Sequence, residues 1–119
     1  MAARILSISY DPSLLATREL VLRQAGYQVA SALGFADALQ LCREGKFDLI
    51  IIGHSIPRHE KEALLAEIRT SCKTPVLSLY RASDGPLPGL DYALDGMEGP
   101  QALLEIVRMV LNSALAESA

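Results

Sequence analysis

Short apolar runs alternate along the chain with longer stretches in which apolar positions recur at helical spacing. The most uniform run is Leu49-Ile50-Ile51-Ile52, entered from Asp48 and stopped at Gly53. A run this short, without polar alternation, predicts a strand buried on both faces, the central strand of a parallel sheet. Gly53-His54-Ser55-Ile56-Pro57 follows, and the proline opens a helical pattern. In an open parallel sheet, ligands and chemistry gather just past the carboxyl ends of the central strands. Gly53 and His54 therefore stand where a site is expected.

The same alternation organises the rest of the chain into a βαβ rhythm, the mark of an α/β fold. Arg4 to Ser9 reads as the first strand. Asp11-Pro12 starts a helix, with an acidic N-cap ahead of a proline at the first helical position. Leu14, Val21, Leu22 and Ala25 share one face of it, and Gly26 ends it as a left-handed cap. Tyr27 to Ala32 is a more polar strand, as at a sheet edge. Phe35, Ala38, Leu39 and Cys42 make the next amphipathic face, closed by Gly45, and Asp48 to Ile52 is the central strand. Arg58 to Thr70 forms a third helix with Leu64, Leu65 and Ile68 inward and its Glu, Lys and Arg residues outward. Pro75 to Leu79 is a fourth strand.

There the rhythm breaks. Tyr80 to Gly89 holds two glycines and two prolines, a spacing that forbids a regular helix interior. A short strand near Asp91 to Leu94 follows, and a last helix starts near Pro100 with Leu103, Val107, Val110, Leu111 and Ala114 on one face.

Composition narrows the picture little further. A chain of 119 residues with half its residues hydrophobic is one domain by size, residues 1–119. Its net charge of −3, with eleven scattered Lys and Arg, argues against nucleic acid as a partner. No secretory or membrane-spanning run is present, so a cytoplasmic setting is expected, with Cys42 and Cys72 as packing residues rather than a redox pair.

Taken together, Ile5-Leu6, Asp11-Pro12, Ala25-Gly26-Tyr27, Gly45-Lys46-Phe47-Asp48-Leu49-Ile50, Ile56-Pro57, Thr74-Pro75-Val76 and Asp91-Tyr92 resemble the receiver (CheY-like) domain of bacterial response regulators. The likeness covers nearly the whole chain. It implies a flavodoxin-like three-layer sandwich, a five-stranded parallel sheet in the order 2-1-3-4-5 with helices on both faces. It also implies the chemistry of a phosphorelay: an aspartate ending the third strand takes a phosphoryl group from a histidine kinase. An acidic pair after the first strand holds Mg²⁺, a Thr or Ser ends the fourth strand, and a Lys ends the fifth. Such a transfer spreads negative charge over three oxygens, which the cation and the lysine neutralise.

Matched residue by residue, the resemblance places the acceptor on Gly53, the metal pair on Ser9 and Tyr10, the hydroxyl on Tyr80 and the lysine on Asp95. None has the required side chain. The expectation is a degenerate pseudo-receiver that is not phosphorylated at the usual place. The span from Tyr80 to Asp91 is also too short for the helix the family puts there. That helix is expected to be shortened or lost, leaving Leu87 and Leu90 to a remodelled surface.

The remaining candidates are weak as chemistry. His54 could contact a partner, titrate, or bind metal with His59, but no third ligand is evident. Asp11 could be a leftover metal ligand, though its cap role already explains it. Ser55 lacks a base and an orienting partner, and the glycines make no phosphate-binding fingerprint. With no convergent acid, base and nucleophile, no enzyme activity, cofactor or metal is expected. Two functions follow as expectations. The first is a stand-alone, phosphorylation-independent signalling module that binds a protein partner, with homodimerisation open and no role for nucleic acid or membrane. The second is a small-molecule sensor using the vacated pocket near Gly53, lined by Ser9, Tyr10, His54 and Tyr80.

Overall fold

A computed structural model describes residues 3–71, 73–80, 92–95 and 99–118, the last with side chains to residue 112. Five strands, β1 (Arg4–Ser9), β2 (Gln28–Leu33), β3 (Leu49–Ile52), β4 (Val76–Tyr80) and β5 (Tyr92–Asp95), form one parallel sheet in the order β2-β1-β3-β4-β5. The described helices are α1 (Pro12–Gln24), α2 (Phe35–Glu44), α3 (Arg58–Ser71) and α4 (Pro100–Ser118). The α/β alternation is as the pattern predicts, and the order is that of the flavodoxin-like sandwich the resemblance implies. The expected shortening or loss of the helix between β4 and β5 falls, with Leu87 and Leu90, outside the described residues, as does Cys72.

The apolar run at β3 explains the layering. Side chains alternate across a strand, so Leu49 and Ile51 enter one core with Ile5, Leu22, Leu77, Val107 and Val110. Ile50 and Ile52 enter the opposite core with Leu6, Ile8, Ala38, Cys42, Leu64 and Ile68. Thus α1 and α4 cover one face, and α2 and α3 the other. Each fully buried isoleucine contributes roughly 1.5–3 kcal/mol, which makes β3 the strand the fold can least lose. β2 is the polar edge strand, paired only with β1 from Arg4↔Gln28 to Ser9↔Leu33.

Local signals act as expected at α1. Asp11 (φ −109°) accepts from the N–H groups of Ser13 and Leu14. At the other end Gly26 adopts φ +99°, and Tyr27 N–H returns to the Leu22 carbonyl. A side chain would resist that left-handed turn.

Two assignments of helix face need correction. On α1 the buried residues are Leu15, Arg18 and Leu22, whereas Leu14 and Val21 are half-buried and Ala25 is exposed. On α3, Lys61 is buried alongside Leu64 and Ile68 instead of facing outward. Both cations fall three or four residues from a buried leucine, which puts them on the inward face.

Candidate functional site

The carboxyl ends of β1 and β3 meet at the loop leading into α3. Ser9, fully buried, stands 2.9 Å Oγ to Oγ from Ser55. Tyr10 N–H donates to Ser55 Oγ (3.2 Å), Asp11 N–H to Ser9 Oγ (3.1 Å), and Ser9 Oγ to the Asp11 carbonyl (3.2 Å). These contacts are mutually consistent when Ser55 donates to Ser9, since each hydroxyl has a single proton. The network ties the end of β1 to the β3–α3 loop and uses both hydroxyls.

That arrangement does not fit the Mg²⁺ the resemblance implies. Mg²⁺ demands an octahedral set of oxygens with carboxylates among them. Here Ser9 Oγ is committed to the latch, and Asp11 Oδ1 is committed to capping α1. The Tyr10 hydroxyl is held neutral: desolvation, and secondarily the charge of Glu60, raise its pKa. Among the described residues no group of three His, Cys, Asp or Glu side chains stands together to hold a metal ion.

Gly53 is buried directly after β3, and its N–H donates to the Ile8 carbonyl (2.9 Å). The space beside it is taken. A Cβ built there would lie 3.0 Å from Nη2 and 3.3 Å from Nη1 of Arg18, and 3.0 Å from the Ile8 carbonyl oxygen. The constraint on a side chain here is close approach, not an unusual backbone angle: the Ile8 carbonyl and the end of Arg18 would each have to give by a few tenths of an ångström. Arg18 reaches in from α1, and its Nη1 donates to Ser7 Oγ (3.2 Å) and to the Ile8 carbonyl (3.4 Å). Burial lowers its pKa to about 10, so the guanidinium stays charged at neutral pH. On the opposite face Lys61, 6% exposed, donates from Nζ to the Leu79 carbonyl (2.8 Å) at the end of β4. Two buried cations thus flank the carboxyl edge of the sheet. Hydropathy alone assigns both to the surface; only their helical register betrays them.

The other candidates are distributed around this edge. Tyr80 ends β4, half-buried, opposite Asp95 of β5 in the ladder. His54 and Asp95 line a cleft with Arg18, between α1 and the start of α4. Tyr10 packs its ring against the α2–α3 core. His59 is exposed in the first turn of α3, and His54 is half-buried in the loop before it. Ser9, Tyr10, His54 and Tyr80 do not line one cleft among those described: His54 opens on the α1–α4 side, and Ser9 is sealed in the latch.

No protein-family model matches the chain. The transcriptional regulatory protein PrrA of Mycobacterium bovis is 29% identical over 111 residues, taking in 90% of this chain and 48% of that protein. The chain spans about half the length of the curated relatives it matches. A CheY-like response regulator receiver domain protein from Methanospirillum hungatei superposes with a TM-score of 0.87 at 21% identity, over 98% of this chain and 99% of that one. The receiver domain of the hybrid histidine kinase CckA superposes at 0.75 with 26% identity, over 91% and 98% of the two chains. Strand order, helix placement and these likenesses converge: the chain has the CheY-like receiver-domain fold of response regulators.

Proposed function

We propose that the chain is an atypical receiver-like module of two-component or phosphorelay signalling that is not phosphorylated at the usual position. It acts in the cytoplasm by binding a signalling protein, and it is not an enzyme. The observation that carries this reading is the pair Gly53–Arg18. The position that resemblance assigns to the acceptor has no side chain, and a guanidinium stands 3.0 Å from where its Cβ would lie. Supporting it, the positions matched to the metal pair, Ser9 and Tyr10, carry no carboxylate, and Ser9 is held in the latch. An intact scaffold around such an edge favours recognition over chemistry.

Incubation with acetyl phosphate and Mg²⁺, read by intact-mass spectrometry, should leave the chain unmodified. A stable phosphoryl adduct on any residue would refute the reading. Cross-linking in cells of the native organism should recover the same protein partner whether or not the cognate kinases are present.

A further inference from the structure

A buried guanidinium ordinarily faces a carboxylate, because hydroxyls and carbonyls return only part of its lost hydration. Arg18 is 7% exposed, yet among the described residues no carboxylate lies within ion-pair distance of it. Its two hydrogen bonds, at 3.2 and 3.4 Å, are long, go to neutral oxygens, and both use Nη1. Nη2 and Nε make no hydrogen bond among the described residues, which leaves one edge of the fork unspent.

The guanidinium forms part of the wall of a cleft of about 300 Å³ between α1 and α4, at the small end of the range for ligand sites. Leu14, Val21, Leu79, Leu94 and Leu103 give the cleft apolar sides. The start of α4, Gly99-Pro100, opens on the same space. That helix has no acidic residue in its first turn, and Gly99 offers no capping side chain. The N–H groups of Gln101 and Ala102 accordingly find no acceptor among the described residues. A helix start of this kind carries about half a positive charge. Among the described residues, then, a buried cation without a counter-charge and helix N–H groups without acceptors border one cleft, walled by leucines with His54 and Asp95 among them.

We propose that this cleft binds a small apolar monocarboxylate, its head group on the free edge of Arg18 and the start of α4 and its tail against the leucines. The planar fork of arginine matches a carboxylate with two parallel hydrogen bonds. Asp95 lines the same cleft. Its charge opposes anions in proportion to their own charge, which favours a monoanion over phosphate. The proposal is independent of the reading of position 53: phosphorylation assays address that position, and ligand titration addresses the cleft.

The test is titration of the isotope-labelled full chain with octanoate, in parallel with octylamine and inorganic phosphate at matched ionic strength. Octanoate should give saturable shifts at the Gln101 and Ala102 amides and at Arg18 Nε, and should raise the melting temperature. Arg18→Gln should weaken binding by about tenfold or more, since a charge-assisted bond is lost. Asp95→Asn should tighten it. Should Arg18→Gln fail to fold, Leu94→Trp fills the cleft while keeping the arginine, and should block binding equally. Absence of saturable shifts, equal binding of octylamine or phosphate, or affinity unchanged in both Arg18→Gln and Leu94→Trp would each overturn the proposal.

Discussion

The two ends of the sheet are built on different rules. At the amino end, charge stays exposed and close to water. The Asp48 carboxylate accepts the Arg4 N–H at 2.8 Å, the Arg4 guanidinium bonds the Lys46 carbonyl, and it stacks 5.0 Å from the Phe47 ring centre. At the carboxyl end, Arg18 is buried and, among the described residues, bonds neutral oxygens alone. Exposed charge contributes little and costs little. A buried cation without a counter-charge costs several times more, and a fold keeps one where something other than stability is served. The contrast marks the carboxyl end as the working end without reference to any particular chemistry.

Substitutions can break that contrast, and the largest effect belongs to Gly53→Val. Its new atoms would press on both the Ile8 carbonyl and Arg18, so urea unfolding should show a loss of about 2–3 kcal/mol. Adding Arg18→Met should recover part of that loss, because the two sites share one space. Next comes Arg18→Met alone. Replacing the unpaired charge by an apolar side chain of similar length should stabilise the ligand-free chain by about 1–2 kcal/mol. A loss of that size instead would mean that the guanidinium is already well compensated, and the contrast between the ends would fail. At the amino end, Arg4→Ala should cost less than about 1 kcal/mol, most of it from the ring contact.

The smallest effect sharpens the point about charge. Ser78 Oγ, on β4, is buried with no hydrogen-bond partner among the described residues. Ser78→Ala should leave stability within about 0.5 kcal/mol of the parent or raise it slightly, since an already unpaired hydroxyl has little to lose. If it proved more stabilising than Arg18→Met, unpaired polarity in general, rather than charge, would distinguish the buried sites.

Much of the architecture was legible in the residues. β3 announced itself through its isoleucines, α1 through Asp11-Pro12 and Gly26, and each observed strand falls within about one residue of its expected bounds. These are local signals, set by backbone geometry and by period. The site was less legible because it depends on where long side chains end. Arg18 and Lys61 carry their charges at the tips of apolar stems, and a stem can be drawn inward where hydropathy counts only the tip. Leu15-Arg18-Leu22 and Lys61-Leu64-Ile68 held the warning in their spacing. Gly53 could be read as a missing side chain, but nothing in the sequence says that an arginine from α1 fills the gap. That is a tertiary fact.

The occupancy at Gly53 also has a historical side. Positions 53 and 18 share one space: a side chain at 53 would press on the guanidinium, which must then shift. A mutation that put an aspartate back would create a carboxylate buried against a guanidinium, and an ion-paired carboxylate is a poor nucleophile. The route to a phosphate-accepting version of this fold therefore runs more easily through loss of the arginine first, since the aspartate alone would meet the guanidinium. Gly53→Asp compared with Gly53→Asp/Arg18→Ala, each exposed to acetyl phosphate, measures how far that path is closed.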